Sequence, residues 1–398
     1  MAYQEVKTTG YGTRVGRSFQ GIGGGLVLFI IATCFLWWNE GRAVKRSKTL
    51  NQAEKACVEM ENPDRKDPAL EGELVCATAV ATTQDSLSDR QFGIGVKAIS
   101  LQRDVEYYQW VEHAEEQSED KLGGKQVTTT TYTYSKEWTS SPVSSEDFKD
   151  PEYQGKNKVL TVVEPQDQWA QNVSFGAYQL PESLIHSISS KEAMNVALSQ
   201  AQLEDLSRST RVKTDSIHVS GNQVYFGTNP AAPEIGDVRV TWNQIVPAKV
   251  TIIAQVDGDT FKAFKTKSGK RYETLVMGKK DADEIFDAQH HANKVWLWVL
   301  RLFGILLVIA GLKGLVGFLE TILKVVPALS SILGWGVGVV CSVVGVAWSL
   351  VVIAVAWIFY RPVLGILLLA VAGFLVWVFA FKGKDQLKKL TGKTDSLS

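Results

Sequence analysis

Five histidines, four cysteines and a few isolated charges are the side chains on which chemistry could rest. His113, His186, His218, His290 and His291 have no ligand spacing with the cysteines, and no H-E-x-x-H occurs, so no metal site is expected. No G-x-S-x-G elbow or Walker A loop is present. Gly21, Gly23, Gly24 and Gly25 imitate a nucleotide loop, but no strand precedes them and no basic residue follows, which points to close helix packing. Asp257 and Asp259 have the wrong continuation for a calcium loop and suit a hairpin turn. The expectation is a chain with no catalytic residue, cofactor or metal. Cys57 and Cys76 lie in the polar region, and their spacing leaves a disulfide open. Cys34 and Cys341 sit in apolar runs as packing residues or acylation sites. Asn172-Val173-Ser174 fits the glycan acceptor pattern. Tyr107 to Trp110, with Tyr132 and Tyr134, could bind sugar or peptide, although a sheet core suits them better. Two charged features touch apolar runs. Glu40 and Arg42 flank a run end and read as a packed surface ion pair. Arg301 lies within a run, where a charge is costly; it is expected to snorkel to the interface beside Trp296 and Trp298.

The elements holding these residues are set by four apolar stretches. Leu329 to Tyr360 carries no charge between Lys324 and Arg361. As a helix it would measure roughly 48 Å against a bilayer core of about 30 Å. One span with an end among the headgroups is expected, with Trp357, Phe359 and Tyr360 as an aromatic belt. Pro362 breaks the helix, and a second run, residues 363–381, completes a hairpin. Residues 21–38 form an uncleaved first span: the run is long for a signal segment, and Trp37-Trp38-Asn39-Glu40 follows it instead of a small-residue cleavage site. Residues 294–312 form another. Residues 313–328 read as an interfacial amphipathic helix ended by Pro327. Gly334, Gly338 and Ser342 recur on one stripe of the third span, which predicts helix packing there and self-association through it.

Between the first two spans, residues 39–293 are polar and mostly β in pattern. Arg103 to His113 and Val127 to Trp138 alternate as strands around Gly123-Gly124, and further hairpins are signalled at Gly221-Asn222, Asp257-Gly258 and Ser268-Gly269. Lys191 to Leu206 reads as a surface helix, and Asp281 to Glu284 caps another that can run into the second span. The fold class is thus a polytopic α-helical membrane protein of four spans with a large β-rich α+β domain. The N-tail (1–20) carries Lys7, Arg14 and Arg17, and the C-tail (382–398) carries Lys382, Lys384, Lys388, Lys389 and Lys393. The positive-inside rule then places both tails in the cytoplasm and the domain outside it, with Arg42, Lys45, Arg46 and Lys48 as the dissenting flank. Zero net charge gives no argument for nucleic acid.

In this order the motifs resemble a known family. Asn39-Glu40-Gly41-Arg42-Ala43 after the first span is similar to the N-E-G-R-A signature of the LUMA family, the transmembrane protein 43 group and its bacterial relatives. The likeness continues through Val105 to Glu112, Glu137-Trp138, Asn229-Pro230, Pro233 to Val240, Thr266 to Gly269, and Trp357 to Arg361-Pro362. It departs at Gly155 to Lys158, where the family would have a proline after the Asn. The resemblance implies four spans, a lumenal or periplasmic domain and no enzymatic activity. It also implies a role in envelope organisation with self-association, in the endoplasmic reticulum and inner nuclear membrane of animals or the inner membrane of bacteria. The expected function is a non-enzymatic membrane scaffold, a homo-oligomer in contact with membrane lipids and other membrane or envelope proteins. An ion channel or channel-modulating subunit is the alternative, and an extracytoplasmic enzyme a third reading.

Overall fold

A computed structural model describes residues 3–121, 125–323 and 327–362. It divides into two compact units: residues 1–7, 49–118 and 128–289 form the first, and the remainder the second.

The first unit is built on two sheets. In the eight-stranded one, β1 (Tyr3–Thr9) pairs with Gln126–Thr139, that strand with Ser100–Asp120, and Ser100–Asp120 with Val238–Ile245, followed by Gln223–Phe226 and Ile217–Ser220. Residues 3–9, expected in a bare tail, therefore belong to this sheet. The antiparallel register sets Val240 against Val105 and Val238 against Tyr107. Alternate side chains then meet on one face, where Trp242, Phe226, Val224 and Leu206 complete a core.

The second sheet centres on β3 (Leu74–Thr83), antiparallel to Ala248–Asp257, with β2 (Cys57–Glu59) parallel on its other side. Val75 and Ala77 face a core with Val250, Ile252, Phe175 and Tyr178. Leu74 and Cys76, on the opposite face, pack with Ile253, Tyr272, Leu50, Ala53, Ile285 and Phe286. Burial on both faces explains why Leu74 to Ala77 reads as a continuous apolar run.

The glycine turns stand where their sequence signals put them. Gly221, Gly258 and Gly269 all have positive φ, and each lies between paired strands. Gly123 and Gly124 lie outside the described residues. The helix expected over Lys191 to Leu206 is corrected. Lys191–Ala193 is a strand on Val238–Ile245, and the helix is Gln200–Thr210. Its start is fixed by a reciprocal capping box between Ser199 and Gln202.

The thiols of Cys57 and Cys76 are free. In the parallel pairing Cys57 stands opposite Leu74, while Cys76 stands opposite Glu59. Burial pushes the Cys57 thiol up to about 12, with the charge of Cys76 adding to the effect, and pushes Cys76 up to about 11. An unfolded cysteine ionises near 8.5. The folded chain therefore holds these protons more tightly, and their contribution to stability is present below about pH 8.5 and fades as pH rises beyond it. At pH 8 both thiols are expected to react with iodoacetamide at least about a hundredfold more slowly in the folded chain than after unfolding. Failure to label in unfolded, unreduced protein would instead show a disulfide.

Among the described residues, three helices are long and apolar enough to cross a membrane, most of each in the second unit: Gly21–Ala56, Ala282–Gly317 and Gly336–Tyr360. They belong to α1 (Tyr11–Ala56), α4 (Ala282–Leu323) and α5 (Pro327–Tyr360); α2 (Glu182–Ile185) and α3 (Gln200–Thr210) lie in the first unit. The fourth expected span, residues 363–381, and the C-tail lie outside the described residues. The separate interfacial helix expected from Lys313 is corrected: α4 runs unbroken to Leu323, because no helix breaker intervenes before Pro327. A Cβ on Gly25 would lie 2.6 Å from the backbone of Gly314, and one on Gly311 would lie 2.7 Å from the backbone of Phe29. These glycines let α1 and α4 approach backbone to backbone, as small residues do between membrane helices. A Cβ on Gly345 would lie 2.6 Å from the Ile309 side chain. Gly21, Gly23 and Gly24 meet nothing.

Candidate functional site: a buried ion pair among three apolar helices

Near the end of the apolar part of α1 stand Asn39 and Glu40, both 0% exposed. Arg301 of α4 donates from Nε to Glu40 Oε1 at 2.6 Å and from Nη2 to Glu40 Oε2 at 2.8 Å. This is the two-pronged geometry that a planar guanidinium offers a carboxylate. Trp357 of α5 donates its indole N–H to Glu40 Oε2 at 2.8 Å. The Arg301 guanidinium also lies 4.7 Å from the Trp298 ring centroid and 5.4 Å from that of Trp357. One carboxylate therefore gathers a side chain from each of the other two helices.

Backbone contacts extend the junction. Asn39 donates to the Leu297 carbonyl at 3.1 Å, and Asn293 to the Ala43 carbonyl at 3.0 Å. A Cβ on Gly41 would lie 2.7 Å from the Tyr360 ring, so this position needs the smallest side chain. Arg42 donates from Nε and Nη2 to Asn39 Oδ1 at 3.3 and 3.2 Å. Arg361 follows α5 with its guanidinium 6.0 Å from the Trp357 ring centroid, and Pro362 comes next.

Two expectations are corrected here. Arg301 does not snorkel; it is buried, and its charge is met inside the helix packing. Glu40 does not pair with Arg42, because side chains two residues apart on a helix do not face each other: Arg42 meets Asn39, three residues back, while Glu40 faces α4 and α5. The signal available in the sequence was one base inside an apolar run and one acid at the end of another, since such charges pair with one another inside a membrane. Of the packing stripe, Gly338 and Ser342 are half-buried, and the Ser342 hydroxyl donates to its own helix at the Gly338 carbonyl, 2.8 Å away. A Cβ on Gly338 would meet only the end of Lys313, at 3.9 Å. Gly334 lies in α5, but its surroundings are outside the described residues.

In the first unit the aromatic hairpin is occupied by its own neighbours. Tyr134 stacks on Tyr153 with centroids 4.1 Å apart, and Trp110 meets Tyr153 edge-on at 4.8 Å. Asn172 is exposed and donates to Asp85 at 3.2 Å. A groove of about 610 Å³ is lined by Ser86, Arg90, Gln166 and Gln168 over Arg103 and Asp89. Those two charges are spent on each other at 2.8 Å. Among the described residues no group of three or more His, Cys, Asp or Glu could hold a metal ion.

The sequence pattern of the family described as Transmembrane protein 43 matches residues 107–362. The chain is 32% identical to Transmembrane protein 43 of Rattus norvegicus over 391 residues, covering 96% of this chain and 94% of the relative. It is 31% identical to the Homo sapiens protein of that name, covering 97% and 96%. It is 27% identical to the Drosophila melanogaster homolog, covering 89% and 92%. No solved structure matches. With its apolar helices, its β-rich unit and this near full-length similarity, the chain is an integral membrane protein that belongs to the transmembrane protein 43 family.

Proposed function

We propose that the chain is a non-enzymatic integral membrane scaffold that self-associates and presents its β-rich domain outside the cytoplasm to other membrane or envelope proteins. The observation that carries this reading is the saturation of the buried charges. Glu40 and Arg301 use both carboxylate oxygens and two guanidinium nitrogens on each other, and Trp357 takes a further contact. A pathway for ions needs polar groups left to face the ion along the membrane depth; this pair is consumed in joining helices. The open room at Gly338 supports contact between copies along that face of α5. The lysines of the C-tail and of the Lys313–Lys324 connection support the side. The matched relatives are animal proteins, which supports the endoplasmic reticulum or inner nuclear membrane as the compartment rather than a bacterial inner membrane. No nucleic acid partner is proposed.

The test is the mass of the purified chain in detergent by light scattering, with the same preparation carried into vesicles. An oligomer of the 43.9 kDa chain that Gly338→Leu disperses into folded monomers is expected, with no selective current. A monomeric wild type would remove self-association. A reproducible selective current would replace the scaffold reading with the channel.

A further inference from the structure

The outward faces of α1 and α4 change character at one level. On α1, Val27, Ile31 and Trp38 are exposed, and Lys45 stands two turns beyond Trp38 on the same stripe, with Arg42 and Arg46 beside it. On α4, Leu302, Trp298 and Val295 are exposed, and Lys294 lies one turn beyond Trp298. Trp38, Trp296 and Trp298 are 54%, 57% and 67% exposed, although such large side chains are usually covered. Exposed tryptophans between an apolar stripe and a cationic one mark the hydrocarbon–headgroup boundary.

Two contacts bring the cations of the three helices to that boundary. Asn293, next to Lys294, bonds Ala43, next to Arg42. Tyr360, next to Arg361, packs on Gly41. Lys45 and Lys48 lie one and two turns past Gly41 on the side that meets Tyr360, so they stand beyond the end of α5 with Arg361. Residues 41–48 of α1 and 290–300 of α4 contain no acidic side chain, and Glu40 is buried and spent on Arg301. Over these two segments the belt is therefore of one sign, and it stands where lipid phosphates lie.

We infer that this belt binds the headgroups of anionic phospholipids, with Arg42, Lys45, Lys48, Lys294 and Arg361 meeting the phosphate and the exposed tryptophans meeting the upper acyl chain. The inference goes beyond the scaffold reading and does not depend on it. Charge complementarity selects the occupant: a zwitterionic headgroup offers no net charge to a belt of several cations, whereas an anionic one does.

The test uses the full chain reconstituted in phosphatidylcholine vesicles containing a minor fraction of brominated lipid, because bromine quenches tryptophan on contact. Brominated phosphatidylglycerol is expected to quench roughly threefold to tenfold more effectively than brominated phosphatidylcholine at equal mole fraction, and the preference is expected to fall toward unity at about 1 M salt. The variant Lys45→Gln/Lys48→Gln/Lys294→Gln should lose most of the preference while keeping its elution volume. If that variant misfolds, the salt series on the wild-type chain decides alone. Equal quenching by the two lipids in low salt would overturn the inference. So would full displacement of the preference by millimolar inorganic phosphate at constant ionic strength, which would assign the belt to a soluble anion.

Discussion

Arg301→Leu is expected to destabilise the helix assembly by about 3–5 kcal/mol, because Glu40 would be left as an uncompensated buried charge. Both partners are almost wholly buried, with side-chain exposures of 6% and 1%, so solvent does not screen the loss. The Trp357 indole, bonded to Glu40 at 2.8 Å, is a neutral donor and cannot replace a cation. In detergent this should appear as a thermal midpoint lowered by several degrees and a smaller yield of monodisperse protein. Glu40→Leu/Arg301→Leu should recover much of the loss, since removing both members of a buried pair is often close to neutral. A midpoint for Arg301→Leu equal to that of the wild type would show that the pair does not hold the helices.

Arg103→Met is expected to cost a similar amount, about 3–5 kcal/mol, in the β-rich unit. Arg103 reaches both oxygens of Asp89 at 2.8 Å and donates twice to the Glu164 carbonyl at 2.9 and 2.7 Å. Asp89 also accepts from the Trp242 indole at 3.0 Å, and Phe92 stands edge-on to Trp242 with centroids 4.7 Å apart. Methionine fills the volume but leaves the Asp89 carboxylate without its cation and the Glu164 carbonyl without the guanidinium donors. Arg103→Lys should restore only part of the stability, because one ammonium cannot serve both acceptors with the fork of a guanidinium. Thermal unfolding of the full chain, followed by tryptophan fluorescence, checks both variants. A lysine midpoint equal to that of the wild type would show that charge alone, rather than the fork, is what matters.

The sequence carried the elements whose signals are local. Each turn glycine sits where a left-handed residue is needed, as at Gly258 and Gly269. The apolar runs of α1, α4 and α5 are legible from length and charge alone. What was not legible depended on residues far apart in the chain. Nothing near Glu40 announces Arg301, and the separation of 261 residues hides a pair that only helix packing assembles. Tyr3–Thr9 looked like a polar tail because an edge strand needs no apolar face of its own. The helix misplaced on Lys191 to Leu206 had apolar residues at suitable intervals, but the Ser199 capping box decides where it begins.

The Glu40–Arg301 pair also has a history in time. Synthesis runs from the N-terminus at about 5–20 residues per second, so Glu40 is made tens of seconds before its partner, which lies 261 residues later. During that interval the first span holds an acid with no base to meet it. The early chain must keep Glu40 near the headgroups, and the three-helix junction can close only after nearly the whole β-rich unit has been made. Completion of the junction thus reports that the domain-length segment between its two charges has already been synthesised.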